Sequence, residues 1–370
     1  MTWSHPRGYD PMVATAAEWK KKTGVEVVWE KRSLQDFESY PVEELARAYD
    51  MIVIDHPHVG QITAEQCLTP LDLPERATEL ATLAGQSVGQ SFESYRWQGH
   101  LWALPIDAAT QVMGWRADKV APPKIWSEVM DLAIAGHVLL PMRPPHSLMS
   151  FFTLTANLGH ACNSQGGPEL VDRSTGVTVL RMLAELCALL PDSIYQMDPI
   201  AASAAIAETD SEHWVVPLMY GYVNYAFDGF VPNRVTFGNI PAAGRNGPIG
   251  GTLGGTGIAV SAFSKNRQAA IDHAFWLASA ELQRTLYAAA DGQPGNAVAW
   301  DDDAVNTRAH DFYRGTRDTL EGSYVRPRHN GYMGFQDAAS KRINEGLRSG
   351  EAPERTLDAL QALYSRSLGG

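Results

Sequence analysis

The apolar run Met51-Ile52-Val53-Ile54 most constrains the fold of this chain, because a strand without polar positions must be buried on both faces. Upstream, Val25-Glu26-Val27-Val28-Trp29 alternates and predicts another strand, and a helix is predicted at residues 41–48. Asp10-Pro11 predicts the start of a first helix, with an N-cap and a proline at the first helical position, and Gly24 predicts its end. Strand-helix alternation in the first 55 residues predicts a parallel sheet with helices on its faces.

Two interruptions divide the rest of the chain. The first falls at residues 103–107 and the second at residues 250–257, where five of eight residues are glycine. The chain therefore leaves a first lobe near residue 107 and returns to it near 257, so we expect hinge crossings there. The expected lobes are residues 1–107 plus 257–305 and residues 108–256 plus 306–370. Apolar spacing predicts further helices at 126–135, 175–189, 267–279, 281–290 and 335–368, and a short strand at 258–260.

The composition argues against several classes of protein. With 370 residues, 45% of them hydrophobic, the chain is long enough for two domains. A formal net charge of −12 argues against nucleic acid as a partner, because a phosphate-backbone binder needs clustered lysine and arginine. Cys67, Cys162 and Cys187 lack the C-x-x-C spacing of a zinc site and allow at most one disulfide. No apolar stretch is long enough to predict a transmembrane helix.

Several short segments, in order along almost the whole chain, carry a family resemblance. They are WSHPRGYD at 3–10, YDMIVID at 49–55 with LTPLD at 68–72, GHLWALP at 99–105, GIAVS at 257–261 with AELQR at 280–284 and DGQP at 291–294, and EAPERTL at 351–357 with Tyr364. Together they resemble the extracellular solute-binding proteins of bacterial ABC transporters, family 1. That group includes the maltose-type sugar binders and has the type II periplasmic-binding-protein fold.

The resemblance implies a fold and a function. The fold would be α/β and two-lobed, each lobe a mainly parallel sheet flanked by helices, with hinge closure over a solute in the cleft between the lobes. The function would be delivery of a small-molecule solute to the transmembrane permease of an ABC importer, by a monomer without catalysis, cofactor or metal. It also implies a periplasmic location, so we expect a secretion signal to have been removed; a cytosolic protein is the alternative that the opening residues leave.

The first loop supplies candidate ligand-binding residues for lobe 1. Ligands of open α/β sheets bind beyond the carboxyl ends of the strands, and Trp3, His5, Arg7 and Tyr9 stand at such a position, before a helix N-terminus. Unpaired N–H groups at that helix end and the Arg7 guanidinium would suit a carboxylate or a phosphate. In the alternative interpretation, Arg7 pairs with a neighbouring acid such as Asp10.

Asp55 and His56 follow the buried strand 51–54 and face the same loop. They would hydrogen-bond solute hydroxyls, or His56 would pair with an anionic solute, and a purely structural histidine is the alternative. A metal is disfavoured, because His56 and His58 are alternate residues that point to opposite faces of an extended chain.

Further candidates stand at the crossings and in lobe 2. Asp107 lies at the first crossing, and Gly255 and Thr256 lie at the second, where glycines let backbone N–H groups approach a solute. The run lacks the G-x-x-x-x-G-K-[ST] pattern of a phosphate loop. Residues 220–225 combine aromatic rings for stacking on a sugar with phenol and amide groups for its hydroxyls, although such a stripe also suits a core. The lobe 2 candidates are Tyr220, Tyr222, Asn224 and Arg326, with Arg328 and His329 more simply a solvated basic patch.

The sequence thus favours a non-catalytic solute receptor over two alternatives. An enzyme is disfavoured because the chain lacks G-x-S-x-G, H-E-x-x-H and a strand-associated G-x-G-x-x-G, although Asp55 and Asp107 could form a glycosidase-like carboxylate pair. A cytosolic solute sensor on the same fold is the other alternative. The family favours a sugar or polyol as the solute, whereas His5 and Arg7 near the loop favour a sugar acid or another small anion.

Overall fold

The computed structural model describes residues 1–33 and 41–369, and the chain divides into two compact units. Unit 1 consists of Met1–Ala109 and Gly254–Ala309, and unit 2 of Thr110–Leu253 and His310–Gly370. The chain changes unit inside two long strands and again after Ala309. The hinge crossings expected at residues 107 and 257 stay a prediction.

Strands and helices alternate in the first part of the chain. They are β1 (Thr2–Trp3), α1 (Pro6–Thr23), β2 (Lys31–Arg32), α2 (Val42–Ala48), β3 (Met51–Ile54), α3 (Val59–Glu65), β4 (Leu68–Thr69), α4 (Ala77–Gly85), β5 (Arg96–Trp97), β6 (His100–Leu101) and β7 (Leu104–Trp115). Unit 2 continues with α5 (Trp126–Ile134), α6 (His146–Asn157), α7 (Arg173–Cys187), α8 (Pro199–Ala207), β8 (Val215–Tyr220), β9 (Thr236–Gly238) and the start of β10 (Leu253–Ser261). The last part contains α9 (Arg267–Ala278), α10 (Ala280–Leu282), a π-helical turn (Gln283–Tyr287), α11 (Ala297–Asp301), α12 (Asp303–Arg308), α13 (Phe312–Glu321), α14 (Tyr332–Ser349) and α15 (Pro353–Ser367).

The sheet of unit 1 is built around β3. β1 lies parallel to β2, and the backbone of Met1, just before β1, is hydrogen-bonded to β3. The Met1 amine donates to the Met51 carbonyl and the Val53 N–H donates to the Met1 carbonyl, at 3.0 Å each. On its other side β3 pairs with β10, which runs antiparallel and sets Gly257 opposite Ile54. All four residues of β3 are buried, so the predicted burial on both faces is confirmed.

The first helix begins earlier than the sequence predicts. Pro6 takes the first helical position and His5 is the N-cap, so Asp10 and Pro11 lie inside α1. His5-Pro6 and Asp10-Pro11 each place a proline after a residue whose side chain can accept a hydrogen bond from a backbone N–H at a helix start. The sequence alone therefore does not show which of the two begins the helix. Gly24 ends the helix as predicted, in the left-handed conformation at φ 76.

The strand predicted at residues 25–29 is wrong. Residues 25–30 have no regular secondary structure, and β2 begins only at Lys31. Burial along the segment still alternates as in a strand, since Trp29 is 6% exposed and Val28 is 78% exposed. β1 pairs only with residues 31 and 32, so within the described chain no strand lies beside residues 25–30.

Unit 2 holds an antiparallel sheet among helices. The part of β7 in this unit pairs with β8, where Val112 lies opposite Met219, and with β9. Helix α6 packs on α14, and the Ser147 hydroxyl donates to the Ser340 carbonyl at 3.1 Å. The predicted helical tail is confirmed as α14 and α15, which Gly350 separates in the left-handed conformation.

Both predicted interruptions lie inside strands. Residues 104–107 open β7, and Gly254, Gly255 and Gly257 belong to β10. The expected α/β class is confirmed, but the sheets are mixed instead of mainly parallel. The reason is that the two long strands run against their neighbours: β10 is antiparallel to β3 and β4, and β7 is antiparallel to β8 and β9.

Burial governs the chemistry of the three cysteines. Cys67, Cys162 and Cys187 are all free, and burial raises the pKa of each thiol to about 12, which keeps them protonated and unreactive.

Among the described residues, no helix has both the length and the apolar composition needed to cross a membrane.

Candidate functional site

His5 closes the N-terminal end of α1. Its Nδ1 atom accepts a hydrogen bond from the Arg7 backbone N–H at 3.1 Å, and its carbonyl accepts from the N–H groups of Gly8 and Tyr9 at 2.9 Å each. Because Pro6 has no N–H, these bonds account for the first turn of the helix. Burial and the neighbouring Arg7 charge lower the His5 pKa to about 4, so the ring is neutral and can accept at Nδ1. The helix end therefore lacks the unpaired donors that we expected to hold an anion.

Arg7 forms a buried ion pair with Asp107. The Arg7 Nε donates to Asp107 Oδ2 at 2.7 Å, and the Arg7 Nη2 donates to Oδ1 of the same carboxylate. Arg7 is 4% exposed and Asp107 is 1% exposed. Burial raises the pKa of the Asp107 carboxyl, and the Arg7 guanidinium opposes that rise because it favours the ionised form. The acid that pairs with Arg7 is thus Asp107 and not Asp10. The sequence analysis expected the Arg7 guanidinium to bind a solute, but its Nε and Nη2 groups bind the Asp107 carboxylate.

Asp55 and Thr256 lie close to this pair. The register of β10 on β3 places Gly257 opposite Ile54, so Thr256 comes opposite Asp55. Asp55 is also near enough to Asp107 for its charge to raise the Asp107 pKa. Thr256 is 7% exposed, and its hydroxyl has no hydrogen-bonding partner within the described chain. A buried hydroxyl of this kind is a group that a bound solute can satisfy.

Gly255 sets how closely β10 approaches the strand that carries Asp107. Its φ is +87, and a Cβ there would lie 2.3 Å from the Asp107 carbonyl oxygen. A residue that sequence reasoning missed closes the other side of this strand: Gln293 is 1% exposed and its Nε2 donates to the Ala108 carbonyl at 2.8 Å. The signal for Gln293 was its place in the DGQP segment, which was used only as a family motif.

Trp3 and Tyr9 have packing contacts of their own. Trp3 is 4% exposed, and its ring lies against Gly8, where a Cβ would be 2.3 Å from the ring carbons. The Tyr9 ring carries the Lys31 ammonium 4.5 Å from its centroid and lines a cavity between α1 and residues 26–29. Tyr9 thus faces that cavity, and the structure does not bring it together with the Arg7–Asp107 pair.

His56 is fully buried at the end of β3. Its Nδ1 lies 3.2 Å from Asp55 Oδ1, and its ring stands edge-on to Tyr95 with the centroids 6.3 Å apart. His58 is also buried, in the same 3₁₀ turn. Among the residues that the structure describes, no group of three histidine, cysteine or acidic side chains is placed to hold a metal ion.

In unit 2, Tyr220 meets a histidine that the sequence analysis did not single out. His146 begins α6, is 4% exposed, and its ring centroid lies 6.1 Å from that of Tyr220. Burial, reinforced by the charges of Arg143 and Arg326 and opposed by Asp198, lowers the His146 pKa to about 4. His146 is therefore a neutral ring beside Tyr220, near enough to Arg326 for the arginine charge to lower its pKa. A histidine opening a helix that has no charged residue was the signal available in the sequence.

Arg326 is buried against Gln336. Its Nη1 donates to Gln336 Oε1 at 3.1 Å, and the Tyr332 hydroxyl donates to the same oxygen at 3.0 Å. Gln336 was also missed, because nothing in its local sequence distinguishes it from other polar residues of α14. Tyr222 and Asn224 lie at the turn after β8 and are 6% and 0% exposed, so both are buried in unit 2.

The solvated patch expected at Arg328 and His329 is wrong, since both side chains are half-buried. His329 Nε2 lies 2.9 Å from the Ser367 hydroxyl, within hydrogen-bonding distance. Its ring lies edge-on to Tyr332 and Tyr364, with centroids 6.1 and 5.9 Å away. His329 therefore joins α14 to α15.

The architecture is that of the two-lobed periplasmic binding proteins. It matches maltose-bound MalE3 of T. maritima with a TM-score of 0.80 at 15% identity, over 96% of this chain and 95% of that one. It also matches an ABC transporter solute-binding protein of Agrobacterium radiobacter K84 in complex with ribitol, with a TM-score of 0.76 at 18% identity, over 97% of this chain and 96% of that one.

The chain belongs to the bacterial extracellular solute-binding proteins, whose family model matches residues 14–312. A Deinococcus radiodurans protein named "probable ABC transporter-binding protein" is 26% identical over 400 residues, covering 98% of this chain and 91% of that protein. The resemblance stated from the sequence segments is thereby confirmed. Proteins of this family bind small solutes outside the cytoplasm for ABC transporters.

Proposed function

We propose that the chain is the non-catalytic, monomeric receptor of an ABC importer, located in the periplasm, and that it binds a sugar or a polyol. The solute would lie between the two lobes and hold them closed, because it gains contacts to both lobes only in the closed form. The receptor would then deliver the solute to a transmembrane permease. Family membership supports the receptor role, and the relatives that carry maltose and ribitol support a polyhydroxy solute.

The Arg7–Asp107 pair is the observation that favours a neutral solute over a sugar acid. The guanidinium charge that suggested an anion is balanced by a carboxylate, and the nearby His5 ring is neutral. Asp55 adds a further carboxylate close by. Carboxylate oxygens and the Thr256 hydroxyl suit the hydroxyl groups of a sugar or polyol, whereas a solute carboxylate would be repelled here.

The same pair disfavours the glycosidase alternative. A catalytic carboxyl must exchange a proton with substrate or water, and Asp107 is 1% exposed with both oxygens engaged by Arg7. The glycosidase alternative paired Asp55 with Asp107, so it loses the second carboxyl that it assigned.

The test is native mass spectrometry of the purified protein, followed by a thermal-shift panel. Matched pairs of a polyol or sugar and its corresponding acid are compared at equal concentration. We expect a neutral member to raise the unfolding midpoint, since ligand at 100 times Kd adds about 2.7 kcal/mol of stability, and its acid to have a smaller effect. Stabilisation by the acids alone would overturn the neutral class. Turnover of a stabilising sugar, or a mass that persists on denaturation, would overturn the receptor role.

A further inference from the structure

Two asparagines of unit 2 are followed directly by glycine, in the pairs Asn246-Gly247 and Asn330-Gly331. An asparagine in such a pair is prone to react with its own backbone, because glycine has no side chain to hinder the approach of its nitrogen to the asparagine carboxamide. The reacting atoms must come within about 3–3.5 Å in the correct orientation, so the fold around each pair governs the rate. Both asparagines are exposed, so exposure alone does not distinguish the two pairs.

Asn246 lies in a loop, residues 243–249, that the side chain of Asn157 holds from inside. The Asn157 Oδ1 accepts from two backbone N–H groups that precede Asn246, at 2.7 and 2.8 Å. Its Nδ2 donates to the carbonyls of Gly247 and Ile249, at 2.9 and 2.6 Å. Asn157 is 1% exposed, so water does not compete for these bonds. Turning the peptide between Asn246 and Gly247 would break bonds in this set, which opposes the reaction there.

Asn330 has weaker restraints, because it lies just ahead of the start of α14. A turn hydrogen bond spans its pair, from the Tyr332 N–H to the His329 carbonyl at 3.0 Å. Gly331 is the N-cap of α14 and offers no side chain to the first N–H groups of the helix. Helix ends without a capping side chain fray. We therefore expect the backbone at Asn330 to open more often than the loop that Asn157 holds.

We propose that Asn330 deamidates spontaneously, ahead of Asn246, and that the product strengthens the start of α14. The Gly331 backbone nitrogen forms a bond to the Asn330 Cγ, and the bond from Cγ to the side-chain nitrogen breaks. Ammonia leaves, carrying the proton that the Gly331 nitrogen gives up. Water then opens the five-membered imide at either of its carbonyls, which yields aspartate or isoaspartate at position 330.

The product supplies a charge that the start of α14 lacks. Aspartate and isoaspartate both carry a carboxylate that is ionised at neutral pH. The helix dipole favours a negative charge beside a helix N-terminus, and the first turn of α14 has no acidic residue. α14 also carries Gln336, which accepts the hydrogen bond from Arg326. The modification therefore adds a charge at the start of the helix that positions a candidate solute-binding residue.

The test incubates the purified protein at mildly alkaline pH and follows both asparagines by mass-spectrometric peptide mapping, with isoaspartate distinguished from aspartate by fragmentation. We expect Asn330 to convert roughly fivefold faster than Asn246, or more, in the folded protein. The same chain unfolded in urea is the control. There we expect the two rates to agree within about twofold, because the fold no longer restrains either pair. An Asn330 that stays intact in the folded protein, or an Asn246 that reacts first, would overturn the proposal.

Two sets of variants test the restraint and the product. Asn157→Ala releases the 243–249 loop, and we expect it to raise the Asn246 rate roughly fivefold while the Asn330 rate stays as in the parent. An unchanged Asn246 rate would refute the restraint by Asn157.

Asn330→Asp reproduces the aspartate product, and Asn330→Gln is its uncharged control. We expect hydrogen exchange in the first turns of α14 to be about twofold slower in Asn330→Asp, or slower still. Equal exchange in these two variants would refute the strengthening of α14. None of these measurements uses a solute, so their outcome is independent of the proposed function.

Discussion

Arg7 and Asp107 stand 100 residues apart in sequence and meet in a two-point ion pair inside unit 1. Arg7 is carried by the first turn of α1 and Asp107 by β7, so the pair ties the opening helix to the strand in which the chain later leaves the unit. Removing either partner leaves the other charge buried, which is why the pair has to be tested as a unit.

Arg7→Met should lower the free energy of unfolding by about 3–5 kcal/mol, because it leaves the Asp107 carboxylate buried without its guanidinium. The double variant Arg7→Met/Asp107→Leu should recover most of that loss, since it removes both charges. Urea unfolding at pH 7 gives the free energy of unfolding of the parent, of Arg7→Met, of Asp107→Leu and of the double variant. These four values complete a double-mutant cycle. A loss below about 1 kcal/mol for Arg7→Met would contradict the pairing.

Thr256→Val should weaken solute binding about tenfold, or about 1.4 kcal/mol, while leaving the protein as stable as the parent or slightly more so. The valine keeps the shape of the side chain and removes a buried hydroxyl that has no partner in the described chain. Isothermal titration with the solute identified by the thermal-shift panel gives the affinity, and Thr256→Ser, which keeps the hydroxyl, is the control. Affinity unchanged within twofold for Thr256→Val would remove this residue from the site.

Gly255→Ala should destabilise the protein by about 1–3 kcal/mol, because its Cβ would lie 2.3 Å from the Asp107 carbonyl oxygen and its φ is +87. The matched control is Gly334→Ala, in the exposed part of α14, where a Cβ meets nothing within 4 Å. The control should stabilise the protein by about 0.5–1 kcal/mol. Thermal unfolding of both variants is the measurement, and equal effects of the same sign would refute the close approach at Gly255.

His273 should make unit 1 sensitive to acid. It is fully buried on α9 among the rings of Trp19, Trp29 and Trp276, with centroid distances of 5.2, 6.5 and 5.7 Å. Neither ring nitrogen has a hydrogen-bonding partner within the described chain, and burial lowers its pKa from 6.5 to about 4. The unfolded chain therefore binds the proton first as the pH falls. Stability is complete above pH 6.5 and is lost toward pH 4, by about 3 kcal/mol from this residue.

The variant His273→Leu should flatten the dependence of unfolding free energy on pH between 6.5 and 4, as measured by urea unfolding at a series of pH values. Part of the slope should remain, because burial also lowers the pKa values of His5 and His146 to about 4. The exposed His160, changed to glutamine, is the control and should leave the slope as in the parent. An unaltered slope for His273→Leu would show that His273 is not the group responsible.

Local patterns predicted those elements whose cause is local. The apolar run of β3, the stop at Gly24 and the helical tail follow from burial, a left-handed end and apolar spacing, all of which act within a few residues. The start of α1 was misplaced because Asp10-Pro11 has the same local chemistry as His5-Pro6. The segment 25–29 has the side-chain pattern of a strand, but a strand also needs a neighbour, and the neighbour is not local.

The sequence singled out many residues of the candidate site but did not predict which of them contact one another. Asp107 and Arg7 were both singled out, yet their pairing joins positions far apart in sequence, which no local pattern specifies. Gly255 was expected at an interruption between elements but lies within β10. A glycine is needed there because the backbone of β10 comes close to the Asp107 carbonyl, and not because the chain turns. Gln336 was missed because it is an ordinary polar residue until the fold buries it against Arg326, whereas the sequence signals of Gln293 and His146 were too weak to mark them as site residues.

The pairing of β3 with β10 has a consequence for how the chain reaches its native state. Gly257 lies opposite Ile54, so the buried strand β3 waits for a partner made roughly 200 residues later. Until β10 is made, one backbone edge of β3 is unpaired, and closing so long a loop slows folding. During synthesis unit 1 would remain incomplete while the whole of Thr110–Leu253 is added, which gives a long interval in which the nascent chain is still unfolded and needs protection from aggregation.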